Sequence, residues 1–376
     1  MAARKRASRA SAKRQHVNGV LIVGGGYAGV HAARAVRFVG RHACIIDPSG
    51  RHDFVTRLAA VAGGTAPMSD ASASLEDFAD RVIEASVRAI RDGEVDLEDG
   101  TTVTADAVVV TAGAVATQPP IDGIEHGRVL RTEGDAIALR GDIESTDAVV
   151  IIGGGATGVQ LAGAVASAHP GVAVTIIDSA DRVLAAMSSV IGRDAERILR
   201  SRGVDLRLGS AVDSIDTAGV VVDGERIDGL PVWAAGFEAR GDRLGLPVDT
   251  AGRVAVDRFL RVDGWKHTFA AGDVAAHVDA AGEQLAMSAQ IAVQAGEIAG
   301  KNAARLLRGD TLDRSRLSHS GWVLDLGGNR GLAELGGLAL TAPFLDLVPP
   351  LLHWTIDLKH LLDTRGAAGL ANRPGA

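Results

Sequence analysis

What the chain lacks narrows it first. It has one cysteine, Cys44, in 376 residues. One cysteine cannot pair within its own chain, so every mechanism that needs a dithiol built from a single chain is excluded. Cys44 lies in the apolar run ACIID, where a buried strand thiol is the ordinary reading. So few cysteines also fit a reducing compartment. Aromatic residues make up 3% and the formal net charge is −7. That composition suits neither base-stacking platforms nor a general nucleic-acid binder. No stretch reaches the roughly 18 uninterrupted apolar residues of a spanning helix. Residues 1–16 are basic, without acids and without an apolar core, so no secretory signal is expected there. Their composition faintly resembles an organelle transit peptide, but the expectation is a disordered basic tail. The eleven histidines are scattered, no His/Cys/Glu cluster has metal-ligand spacing, and no metal is expected. No nucleophile stands out with an acid or base beside it.

Glycine is what the chain has in quantity, 47 residues beside a 47% hydrophobic content. The glycines recur in short turns rather than in a low-complexity tract, which favours an α/β protein with many strand-to-helix turns. The length calls for two or three domains. From Val17, GVLIVGG reads as a buried strand, YAGVHAARAVRFVG as a helix ending near Gly40, and HACIID as the next strand. SLEDFADRVIEASVRAIR, within residues 71–91, reads as helix and then strand. EVDLEDGTTVTADAVVVTAG reads as a hairpin turning at Asp99 and Gly100, followed by a buried strand. The pattern restarts at residue 147 with strand, glycine turn, helix and strand. A helix near 189–202 and short strands follow, and VWAAGF at 232–237 parallels VVVTAG at 108–113. The chain therefore carries a duplication of about a hundred residues, not a solenoid repeat. SAQIAVQAGEIAGKNAARLL, residues 288–307, reads as a long helical run, WVLDLGGNRGLAELGG as short strands, and PPLLHWTIDLKHLLDTRG as a terminal helix.

Each module opens with the same chemistry. In Gly24-x-Gly26-x-x-Gly29 one glycine permits the tight turn, one lets the backbone approach a pyrophosphate, and one packs helix on strand. The phosphate then sits at the helix N-terminus, over Tyr27 and Ala28. Asp47 ends the following strand, where a carboxylate can hydrogen-bond ribose hydroxyls. Gly153-x-Gly155-x-x-Gly158, with Ala156 and Thr157 between, repeats the arrangement, and Asp178 ends its next strand. A carboxylate at that position repels a 2′-phosphate and favours NAD over NADP; Arg182 is the nearest arginine that could weaken the preference. Two dinucleotide sites suggest two dinucleotides, a held flavin and a passing nicotinamide.

A third motif, Gly272-Asp273 in TFAAGDVAA, follows a short apolar strand. Taken with the two glycine motifs, it makes the chain resemble the two-dinucleotide-binding-domain flavoproteins from about Val17 to Asn302. The resemblance implies that FAD lies at the Gly24 turn with Asp273 on its ribityl chain, and that NADH visits the Gly153 turn. It also implies that Ala112-Gly113 and Ala235-Gly236 form turns lining the cofactors, and that the backbone of Val87 touches the adenine. Two stretches look most like type II NADH dehydrogenases, the single-subunit NADH:quinone oxidoreductases. DFVTRLAAVAGG at 53–64 is similar to that group's segment near the flavin, with Arg57 where proline is usual. Ala289-Gln290-Ile291-Ala292-Val293-Gln294 matches the alanine-glutamine repeat lining its quinone site. Gln290 and Gln294 share one helix face, and their amides can hydrogen-bond a quinone carbonyl. Gln160 stands where the group has a glutamate near the reacting rings, which puts rate or acceptor choice in question.

The implied fold is α/β. Two Rossmann-like dinucleotide-binding domains, the second inserted into the first, are joined by a small C-terminal α+β region. The expected boundaries are 1–16 for the tail, 17–120 and 237–310 for the FAD domain, 121–236 for the NADH domain and 311–376 for the C-terminal region. In that region Leu351, Trp354, Leu358, Leu361 and Leu362 share a helical face, opposite His353, Asp357 and His360. Such a helix can lie on a bilayer, cover the protein's own core or meet the second copy of a homodimer. The implied activity is hydride transfer from NADH to FAD and on to a quinone, in the cytoplasm or on the inner face of the cell membrane. A soluble flavin reductase of the ferredoxin-reductase or apoptosis-inducing-factor type is the alternative, and a slow redox sensor the third reading.

Overall fold

The computed structural model describes residues 13–340. The amphipathic helix expected from Pro349 and the tail up to residue 12 lie outside the described residues. The chain divides into two compact units. The first comprises the chain up to Gly50, Phe78–Gly113 and Arg240–Leu317; the second comprises Arg51–Asp77, Ala114–Ala239 and the chain from Ser318.

The first unit is built on a parallel sheet. Arg81–Glu84, Ala43–Asp47, Arg14–Val23 and Thr102–Val110 lie side by side, and Thr268–Ala270 also pairs with Thr102–Val110. Its strands read as unbroken apolar runs because both faces are covered: Val20, Leu21, Ile22, Val108, Val109 and Val110 have no exposed surface. The hairpin Val87–Arg91 and Glu94–Leu97 extends the sheet antiparallel, and the turn at Asp99 and Gly100 forms as expected.

Two expectations fail here. Residues 14–16 are not part of a disordered tail. Arg14, Gln15 and His16 pair with Thr102, Val103 and Thr104, and Arg14 meets Glu94 at 2.6 Å. Backbone ladder bonds, not apolar composition, hold this end of the strand, so a composition argument misses it. SLEDFAD forms no α-helix either. A three-residue strand, Ser72–Ser74, leads into a single 3₁₀ turn, Leu75–Asp77. Leu75 and Phe78 are buried as separate anchors, and Arg81–Glu84 joins the sheet. Tertiary pairing overrides local helix propensity in this stretch.

The second unit has its own parallel sheet, ordered Asp205–Leu208, Ala173–Asp178, Ala148–Ile152, Leu230–Trp233. The helices Ala156–Ala168 and Ser189–Ser201 pack on it. A separate antiparallel sheet comprises Val212–Asp216, Gly219–Val222 and Glu225–Asp228. The C-terminal strands Gly321–Asp325, Gly331–Leu335 and Leu338–Leu340 form a third sheet. Leu324, Leu326 and Leu332 enter the same core as Val159, Leu161 and Ile176. The Arg202 guanidinium donates to the carbonyls of Gly163 (3.1 Å) and Gly327 (2.7 Å) and to that of Leu326. From Ser318 on, the described part of the expected C-terminal region is thus an integral layer of the second unit, while residues 311–317 belong to the first. The same unit also takes residues 51–77, which the expected boundaries had given to the first.

Candidate functional site

The two glycine motifs fold alike. Gly24 and Gly153 adopt left-handed φ angles of 106° and 113°, which a side chain would strain. A Cβ on Gly29 would run into the Gly24 carbonyl oxygen, and one on Gly158 into the Gly153 carbonyl oxygen. The middle glycines differ from these: around Gly26 and Gly155 a Cβ would meet nothing within 4 Å. Both are helix N-caps in extended backbone, and neither helix start has a side-chain cap. Each turn therefore leaves open space in front of backbone N–H groups and a positive helix end, the requirement for holding a pyrophosphate.

The strand-end acids are tied to these turns. Asp47 accepts from the Gly25 N–H at 2.9 Å and from the Ser49 N–H and hydroxyl at 2.9 and 2.7 Å. Asp178 accepts from the Gly154 N–H at 2.5 Å and the Ala180 N–H at 2.7 Å. Each carboxylate is held oriented at its strand end by these bonds. The turn after each neighbouring strand sits beside the glycines. Thr111 lies with its hydroxyl 2.8 Å from the Gly24 carbonyl oxygen, and Ala234 donates its N–H to Ile152 at 2.7 Å. Beyond them, Ala112, Ala235 and Gly236 are exposed and Gly113 half-buried.

The third motif lies within the first unit. Ala271 donates to the Val110 carbonyl at 2.9 Å, and Gly272 turns at φ 80° against Ala28. The Gly272 N–H donates to Nε2 of His277 at 3.0 Å. His277 is buried, and burial pushes its imidazole down to about 4, so it serves as a neutral acceptor. Asp273 follows, half-buried. The helix Ala289–Leu306 then lies directly on Tyr27–Phe38. The Cβ positions of Gly296 and Gly300 would fall on the backbones of Ala28 and Ala32, an approach only small residues allow. Ala289 opens that helix behind the cap Ser288, whose hydroxyl accepts from the Ile291 N–H at 3.3 Å. Gln290 and Gln294 follow on one face, half-buried, and Gln294 donates to the Gln290 carbonyl at 3.2 Å.

The remaining expected site residues lie on other elements. Val87 begins the hairpin strand and pairs with Leu97 in the first unit. Arg57 belongs to the second unit, caps the short helix Leu58–Ala62 and meets Asp70 at 2.7 Å. Gln160 points its Oε1 at the N–H of Asp325, 3.2 Å away. Its side chain fastens the C-terminal sheet to the helix that starts at the glycine turn. Thr111 and His277 are supports of the site that the sequence reading does not single out. Thr111 was visible as the first residue of TAG; nothing in the spacing marks His277.

A family model described as "Pyridine nucleotide-disulphide oxidoreductase" matches residues 18–296. A type II NADH:quinone oxidoreductase of Staphylococcus aureus is 28% identical over 258 residues, 62% of this chain, and the chain spans 61% of that relative's length. Among solved structures, NDH2 of Plasmodium falciparum in complex with NADH is similar with a TM-score of 0.78 at 14% identity, over 94% of this chain and 96% of that one. The water-forming NADH oxidase of Lactobacillus brevis, bound to NADH, gives a TM-score of 0.71 at 24% identity, over 84% and 74%. At these identities the structures speak for the fold.

Proposed function

The chain belongs to the pyridine nucleotide-disulphide oxidoreductase family, and on that premise we propose that it is an FAD-dependent NADH dehydrogenase passing electrons to a quinone-type acceptor. One observation carries the reading. Two open glycine turns of the same geometry exist; the helix at Gly24 receives a further turn, Gly272-Asp273, at its first residues against Ala28, whereas the turn packed on the other helix meets it farther along, Gly327 at Ala164. FAD has a ribityl chain that needs such a third contact; NADH does not.

The residues suit both groups. Around Gly26 the open space and the uncapped helix start fit a pyrophosphate, Asp47 fits a ribose, and Asp273 fits the ribityl hydroxyls. Around Gly155 the same space suits the pyrophosphate of NADH, with Asp178 on its adenosine ribose. When bound, the nicotinamide supplies a hydride and the flavin takes it. The chain's part is to bind, orient and select. Asp178, already aligned by two backbone N–H groups, discriminates against a 2′-phosphate by charge. Gln290 and Gln294 present amides from one helix face toward a quinone carbonyl. The name of the Staphylococcus aureus relative supports the quinone as acceptor. Cys44 takes no part: it is the chain's one cysteine, and burial pushes its thiol up to about 11, with Arg81 opposing. Peripheral contact with the inner face of the cell membrane, through the segment from Pro349, and a homodimer belong to the same proposal. Among the described residues no helix is long and apolar enough to cross a membrane.

Steady turnover of NADH with a soluble quinone tests this. The double variant Gln290→Leu/Gln294→Leu should keep flavin bleaching by NADH and lose quinone turnover. Turnover with ferredoxin or dyes alone would favour the soluble reductase reading. Slow bleaching into a long-lived NAD–flavin complex would favour a sensor.

A further inference from the structure

We propose that Arg182 is the positioning residue that makes the loop after Asp178 selective for NADH, an inference that rests on the NADH reading of the Gly153 turn. Arg182 is the arginine nearest to Asp178 in the chain, where a free guanidinium would be suited to a 2′-phosphate. The structure uses it otherwise. Its guanidinium donates to the carbonyls of Leu184 at 3.2 Å, Ala185 at 2.6 Å and Met187 at 3.0 Å. Three charge-assisted bonds to backbone acceptors of one turn draw residues 184–187 around the side chain.

That turn is one the backbone does not adopt readily. Leu184 has a left-handed φ of 53°, unfavourable for a side chain of its kind. It is nonetheless buried, as is Val183. The Leu184 N–H donates to the Gly154 carbonyl at 2.8 Å, and the Met187 N–H to the Leu184 carbonyl at 2.8 Å. From the helix that follows, Gly192 approaches so closely that a Cβ would stand 2.9 Å from the Val183 carbonyl oxygen. A ring of contacts results. Asp178 takes the Gly154 N–H, Gly154 takes the Leu184 N–H, and Arg182 keeps the Leu184 turn closed. The carboxylate that reads the ribose is thus oriented through a loop that Arg182 holds. The same bonds keep the guanidinium off a 2′-phosphate, so one side chain serves both halves of the preference.

The test is direct binding of NADH and NADPH to the FAD-loaded protein, read by titration under anaerobic conditions, with kcat and KM beside it. Arg182→Gln should weaken NADH binding and raise KM by about tenfold, the scale of lost charge-assisted bonds. It should leave the flavin spectrum and kcat at saturating NADH unchanged, and Arg182→Lys should recover part of the loss. Asp178→Ser should improve NADPH binding, and adding Arg182→Gln to it should leave both nucleotides bound as in the single variant, because the carboxylate that Arg182 positions is gone. The inference is overturned if Arg182→Gln binds NADH as the unaltered protein does, or if kcat and flavin content fall together with affinity. It is also overturned if the double variant loses NADPH binding selectively, because the guanidinium would then be the phosphate's ligand. Unaltered protein that binds no NADH would instead contradict the function from which the inference starts.

Discussion

The turns at Gly24 and Gly153 are almost superposable in design, yet each helix they open is covered by something different. In the first unit Ala28 and Ala32 receive Gly296 and Gly300 of a long helix, with the Gly272 turn seated at Ala28. In the second, Gly163 and Ala164 receive the backbone of Leu326 and Gly327 from the C-terminal hairpin. The acids differ in the same way. Asp47 is finished by its own short turn through Ser49, whereas Asp178 is followed by a loop that returns to the glycine turn. Glycine turns of one design thus acquire different surroundings from their neighbours. One is closed by a third motif suited to a resident cofactor. The other is left with a shaped loop suited to a ligand that comes and goes.

The largest expected effects come from breaking one cradle at a time. Gly29→Ala places a methyl group on the Gly24 carbonyl, and Gly158→Ala does the same at Gly153; overpacking of this kind costs several kcal/mol where backbone cannot yield. Gly29→Ala should give colourless protein, read as flavin absorbance per chain. Gly158→Ala should stay yellow and lose NADH-driven bleaching on the order of 100-fold. If both variants lost flavin, the division of labour would fail.

Next in size is an acid limb that belongs to the first unit. The imidazole of His277 is lowered from 6.5 to about 4 by burial. The unfolded chain then binds the extra proton at higher pH than the folded one. Stability from this group is complete above about 6.5 and is lost as pH falls toward about 4, by roughly 3 kcal/mol in all. His277→Gln keeps an acceptor for Gly272 and should flatten the pH dependence of the urea midpoint over that window. The Gly153 turn has no such histidine, and NADH affinity should be insensitive to the change.

Smaller still is the clasp of the second unit. Gln160→Leu strands the buried-side N–H of Asp325 and should cost about 1–2 kcal/mol in urea unfolding, with flavin content unchanged. Gln160→Glu keeps an acceptor and should recover most of it. The smallest effect is at Cys44. Its raised thiol should resist alkylation in the native protein and react fully in urea, and Cys44→Ala should bleach with NADH at the unaltered rate.

The duplication and both glycine turns were legible because backbone sterics fix residue type at fixed spacing; the acids were legible as strand ends, and the third motif through the family resemblance. The boundaries were less so. Residues 51–77 and 318–340 join the second unit through contacts far apart in sequence, such as Gly63 with Ala164 and Arg202 with Leu326, and no local pattern announces these. Arg14–His16 were read by composition, but their order comes from a ladder with Thr102–Thr104. Gln160 was visible as a departure from the type II pattern, but its bond to Asp325 depends on a hairpin that begins some 160 residues later. Arg182 was weighed only as a cation near Asp178; its three carbonyl partners require the fold of the loop.

The central claim is that a resident FAD sits at Gly24 and a transient NADH at Gly153. An anaerobic titration of the purified protein tests it most directly, with absorbance followed from the visible flavin band to the nicotinamide band. The expected result is yellow protein carrying about one FAD per chain, bleached by a single equivalent of NADH and far less readily by NADPH. Protein that takes up no FAD, or a bound flavin that NADH leaves oxidised, would contradict it.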